Sequence, residues 1–181
     1  MSLKTKNNIY SDFKTIIETA LTSDNISGWD VKQLYQTIKT EDLTPCIYIS
    51  VLRNKQQGSL SRSNKKANEK YYKNYSSKQE ISIRFQATRR KKITDDTNTL
   101  NGVDILKRIK DYFQSLEGIQ LFISKGYAQY RGTDIQEQAF TNDDENIQLM
   151  PYFDCDYLYT DSFDRQINKI ERITEKELKG V

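Results

Sequence analysis

Glu80-Ile81-Ser82-Ile83-Arg84-Phe85-Gln86-Ala87-Thr88 alternates apolar and polar side chains without a fault. A period of two marks a half-buried strand, with one face in a core and the other in water. Upstream, Cys46-Ile47-Tyr48-Ile49-Ser50-Val51-Leu52 is rich in β-branched and aromatic residues. Its nearly continuous apolar run predicts a strand well inside a sheet. The two strands are expected to pair antiparallel, which makes the 54–79 stretch a long hairpin arm. That arm holds Gly58-Ser59-Leu60-Ser61-Arg62-Ser63-Asn64-Lys65-Lys66 and Tyr71-Tyr72-Lys73-Asn74-Tyr75, with almost no aliphatic residue besides Leu60. A connection of that length inside a compact domain is functional or disordered.

Outward from this pair, Ile9, Phe13, Ile16, Ile17 and Ala20 fall on one face of a helix over 7–21, with Asn8 or Ser11 as candidate cap. Val31, Gln33, Tyr35 and Thr37 suggest a first strand between Trp29 and Ile38. Val103, Leu106, Ile109, Phe113 and Leu116 make the clearest helical stripe, with Gly118 as its expected stop. Ile119-Gln120-Leu121-Phe122-Ile123 is expected to open a strand running toward Tyr130, and 147–159 another. Residues 164–173 fit either helical spacing or a short strand. This order predicts an α+β fold with a mixed, mostly antiparallel sheet, two helices packed on it, and the basic hairpin arm.

All 181 residues fit one domain, long enough to bury a core without metals or disulfides. Apolar residues make up 36% and charged residues 29%, so the core is modest and much of the surface must be polar. No run approaches the roughly 20 apolar residues of a membrane span. No apolar run follows the basic start Met1–Lys6, so no secretory signal is expected and the chain is read as cytosolic when made. Cys46 and Cys155 are expected to be buried, reduced thiols.

The chain contains no histidine. Its absence removes Ser-His-Asp and Cys-His triads, the commonest metal ligand and the usual pH switch. Gly126 and Gly132 flank no phosphate-loop pattern and read as turn or bulge glycines. Asp143, Asp144 and Glu145, with Asp154 and Asp156, lack the glycine-containing loop of a calcium hand. Asp154 with Glu177-Leu178-Lys179 mimics the short Asp…Glu-x-Lys pattern of metal nucleases, but the Glu-x-Lys lies in a tail expected to be helical. A solvated acidic face is the simpler reading of these residues. No cofactor and no catalysis are expected.

Charge is nevertheless unevenly distributed. Residues 53–92 carry 13 Lys and Arg against two Glu, a net +11, whereas 132–163 carry eight acids and no Lys or Arg. Lys65, Lys66, Tyr71, Tyr72, Arg89, Arg90, Lys91 and Lys92 are therefore candidate partner-binding residues. Their basic-aromatic mixture suits a solvated hairpin tip, a dock for an acidic protein surface, or single-stranded nucleic acid held by phosphate contact and stacking. Asp143, Asp144, Glu145, Asp154 and Asp156 are the candidate acidic counterpart.

The order of segments resembles the phage neck or tail-terminator (tail-completion) family. The resemblance is carried by the helix around Phe13–Leu21, the Pro45–Leu52 and Ile81–Ala87 strands, and Asn101-Gly102-Val103-Asp104 leading into the Ile105–Leu116 helix. Gly118-Ile119, Leu149-Met150-Pro151-Tyr152-Phe153-Asp154-Cys155-Asp156-Tyr157 and Ile167-Asn168-Lys169-Ile170-Glu171 complete it. The resemblance implies a virion protein that forms a ring of its own copies, usually a hexamer. Such a ring ends the tail tube, meets the sheath where the tail has one, joins the head connector, and lets DNA pass through its lumen. Assembly would take place in the host cytoplasm, with no membrane involved. Head-to-tail ring contacts join two different patches of one subunit, and the basic arm and acidic region are candidates for the two.

Overall fold

The computed structural model describes residues 4–34, 45–67, 70–88, 100–141 and 147–167. Helix α1 spans Lys6–Ser23. Its N-terminus is closed by a capping box in which Thr5 accepts the Asn8 amide and the Asn8 side chain accepts the Thr5 amide. Asn8 therefore takes part from the third helical position, and Thr5 is the cap. Strand β1 is short, Asp30–Gln33, and the rest of the expected 29–38 strand falls largely outside the described residues. Strands β2 (Cys46–Ala67) and β3 (Lys70–Thr88) form an antiparallel pair, registered from Cys46 opposite Thr88 to Ala67 opposite Lys70.

Two helices follow, α2 (Gly102–Gln114) and α3 (Leu116–Ser124), then β4 (Tyr127–Gly132), β5 (Gln136–Thr141) and β6 (Ile147–Ile167). The sheet order is β1-β2-β3-β6-β4, with β5 also on β6. Among the described strands only β1 with β2 is parallel, so the sheet is mixed and the fold is α+β. Strands β4 and β5 lie end to end along one edge of β6, opposite 155–159 and 147–152.

Among the described residues there are three helices where the sequence predicts two. The run Ile119–Ile123 is helical, not extended. Its β-branched residues favour a strand locally, but Ser115 caps a new helix by accepting the Gly118 amide at 3.1 Å. Phe122 is then buried among the rings of Phe13, Phe113 and Tyr157. Gly118 does not stop α2. It permits the sharp α2–α3 corner, because a Cβ there would stand 2.0 Å from the Tyr112 carbonyl oxygen.

The helices cover one face of the sheet. Ile47 and Ile49 of β2, Ile81, Ile83, Phe85 and Ala87 of β3, and Phe153, Cys155, Tyr157 and Tyr159 of β6 point into this core. From the helices come Ile9, Phe13, Ile16, Ile17, Ile105, Leu106, Ile109 and Phe113. Phe13 is the hub, with ring centroids 4.8 Å from Tyr157 and 5.0 Å from Tyr127. The 80–88 strand is more than half-buried: Glu80, Ser82 and Gln86 on the opposite face are also withdrawn from solvent. Cys46 and Cys155 are buried free thiols. No described helix is long and apolar enough to cross a membrane.

Candidate assembly surface

Three strands continue beyond the helices. β2 pairs with β3 as far as Ala67, and β3 with β6 as far as Ile167. The segment 54–79 is thus strand over its described length, and the described part of 164–173 extends β6. Together they form a three-stranded ribbon. None of the described side chains of 52–64, 70–79 and 160–166 is buried.

The root of the ribbon is set by a bulge. The register slips between Val51 and Arg53, leaving Leu52 unpaired and half-exposed. After the slip Arg53, Lys55 and Gln57 share the face that carries Glu80, on which no described helix packs. Arg53 and Gln57 donate to the Glu80 carboxylate, and the Lys55 ammonium lies 3.5 Å away. Desolvation opposes the charge on Glu80. The hydrogen bonds from Gln57 and Tyr130 and the charges of Lys55 and Arg53 together outweigh it, so the carboxyl sits below its ordinary value. Sequence reading passed over this cluster because its members are far apart in the chain.

Further along, one face of the ribbon carries an aromatic-cationic row. Arg62, Tyr75 and Phe163 are in register across the three strands. Tyr75 and Phe163 stack at 5.0 Å with 13° between the rings, and the Arg62 guanidinium lies 5.9 Å over Tyr75. At the tip, Lys66 is opposite Tyr71 and Lys65 opposite Tyr72. These four predicted site residues are therefore brought together, but in two rows.

The remaining predicted residues separate. Arg89, Arg90, Lys91 and Lys92 lie outside the described residues and follow the other end of β3, a 19-residue strand of about 60 Å. Asp143, Asp144 and Glu145, between β5 and β6, also lie outside them. Asp154 and Asp156 are on the body half of β6 and already have partners within the chain. Arg84 donates to both oxygens of Asp154, at 2.8 and 3.0 Å, with its guanidinium 4.0 Å over the Tyr152 ring. Ser82 donates to Asp156. Part of the acid-base complementarity seen in the sequence is thus satisfied inside one sheet. No group of three His, Cys, Asp or Glu among the described residues is arranged to hold a metal ion.

A second unpartnered surface was not anticipated. Leu116, Ile119 and Ile123, one helical stripe of α3, are 71%, 45% and 63% exposed. Ser115 and Glu117, on either side of Leu116 in the chain, help to line a groove of about 650 Å³ with Asp24, Asp104, Arg108 and Tyr112 among others. The apolar spacing 116-119-123 was the available signal, obscured by reading 119–123 as a strand.

No curated protein matches the chain. The family model described as E217 gateway protein gp29 matches residues 9–169, from the first core residue of α1 to just beyond the end of β6. The match takes in the whole helix-covered body and the ribbon together, and the chain belongs to this family of phage head–tail gateway proteins.

Proposed function

We propose that the protein is a non-catalytic structural subunit of the phage head–tail junction that works as a ring of its own copies. Membership in the gateway family supports a virion component at that junction. The observation that carries the ring reading is the ribbon. Three strands leave the core and continue without burying a described side chain. A ribbon of that kind has little stability of its own and gains it by meeting a partner. In the proposed ring, of six copies, one end meets the tail tube and ends its growth, next to the sheath where the tail has one. The other end meets the connector. Assembly takes place in the host cytoplasm before the ring enters the virion.

Electron microscopy of the purified protein, alone and with tail tubes, tests this. Rings with a central opening that seat on tube ends are expected. A protein that stays monomeric at high concentration and ignores tube ends overturns the proposal.

A second reading is favoured by the Arg62-Tyr75-Phe163 row, which offers stacked rings and a cation on one exposed face. It makes the ribbon a contact for nucleic acid passing through the ring. It predicts DNA affinity that falls steeply with salt and is weakened by Arg62→Ala with Tyr75→Ala. Affinity indifferent to both disposes of it.

A further inference from the structure

The ribbon has two edges, and neither has a described partner along its outer part. On one side, β1 covers β2 only from Cys46 to Ile49. On the other, β4 and β5 cover β6 only up to Tyr159. That leaves Ser61–Ala67 of β2 and Thr160–Ile167 of β6 with one pairing edge open each, among the described residues. Open edges of this kind are templates for another strand.

The edges differ in charge. Residues 61–67 of β2 contain Arg62, Lys65 and Lys66 and no acid, while 160–167 of β6 contain Asp161 and Asp164 with one cation, Arg165. They also stand at the same level of the ribbon. Ser61 is opposite Ser76, which is opposite Ser162, and Ser63 is opposite Asn74, which is opposite Asp164. Strands β2 and β6 run in the same direction, because each is antiparallel to β3.

We propose that the β2 edge of one copy pairs in parallel with the β6 edge of the next copy. Two β2 edges brought together would oppose cation to cation, and two β6 edges would oppose acid to acid, so charge disfavours both symmetric pairings. The β2–β6 pairing sets Arg62 one row from Asp161 on the same face. Asp161 already accepts the Lys4 amide at 3.1 Å, and Asp164 the Asn74 amide group at 2.6 Å. Both carboxylates thus already have a partner within the chain, Asp164 on its β3 side. The contact is head-to-tail and repeats at each copy, each contributing three strands. It deepens the ring reading and rests on it. At six copies the ribbons make an 18-stranded wall, of the size that encloses an aqueous channel.

Disulfide trapping tests the proposal. Ser61 and Ser162 of one copy are separated by β3, so their Cα atoms stand about 9–10 Å apart, too far for an internal bridge. The double variant Ser61→Cys/Ser162→Cys should give a ladder of covalent multimers under mild oxidation, and each single variant none. A companion, Ser63→Cys/Ser162→Cys, catches a register displaced by two residues. Circular dichroism verifies that each variant folds. Arg62→Asp should weaken assembly at least tenfold, and adding Asp161→Lys should recover most of it. Rings by microscopy without a ladder from either double variant overturn edge pairing and leave the ring standing. Covalent dimers from a single variant overturn it in favour of a symmetric contact. A monomer in all conditions overturns the ring and the pairing together.

Discussion

Strand β3 passes through two environments without a break in its pairing to β6. From Glu80 to Ala87 every residue except Arg84 is buried, and its odd-numbered side chains touch all three helices' core. From Lys70 to Gln79 the same ladder continues, with no described side chain buried. Backbone hydrogen bonds are thus common to both halves, and apolar burial belongs to one. Net stability from a hydrogen bond that merely replaces one to water is small, whereas each fully buried aromatic or aliphatic side chain contributes about 1.5–3 kcal/mol. The body therefore folds on its own account, and the ribbon is held in shape mainly because its strands are anchored there.

The largest way to break this contrast is at the hub. Phe13→Ala should cost about 3–5 kcal/mol in chemical denaturation, while Phe163→Ala in the ribbon should cost the free protein under about 1 kcal/mol. Comparable losses would mean that the ribbon is part of the core. Next, Gly118→Ala drives a methyl group into the Tyr112 carbonyl and should destabilise by about 1–3 kcal/mol, visible as a lower Tm. An unchanged Tm would show that the α2–α3 corner opens readily.

The junction between the halves gives a pH signature. Because the Glu80 carboxyl is held below its ordinary value of 4.5, the stability it contributes is complete above that pH. It is lost as pH falls through the lower folded-state value. The Tm gap between wild type and Glu80→Gln should accordingly be open at pH 7 and close in acid. A gap that persists at pH 2 would assign the effect to packing. The smallest effect is expected at Tyr157, whose buried hydroxyl lacks a hydrogen bond of good geometry. Tyr157→Phe should fall within about 1 kcal/mol of wild type, on the stabilising side.

Periodicity made the body legible and left the ribbon obscure. Helix α2 and the strands at 46–52, 80–88 and 147–159 announce themselves because burial imposes a period on their apolar residues. The ribbon buries no described side chain, so selection for alternation is absent and 54–79, expected as a hairpin arm, shows no strand period of its own. Helix α3 was hidden for another reason: local β preference at Ile119–Ile123 yields to the packing of Phe122. The partners of the candidate site residues were hidden by distance along the chain. Nothing local in Asp154 announces Arg84, and nothing in Glu80 announces Arg53, until β3 lies between β2 and β6.

The unbroken register of β3 against β6 makes the ribbon a ruler graduated in pairs. Removing two facing residues from each of these strands, with a matching pair from β2, shortens the reach by about 7 Å. Every remaining side chain stays on its original face. Removing one from each turns the distal part over, exchanging the surface of Tyr71 and Tyr75 for that of Tyr72. Length and facing can thus be varied independently of the body, by even steps for the first and odd steps for the second. The span between this subunit and whatever it touches is in that sense an adjustable dimension of the junction.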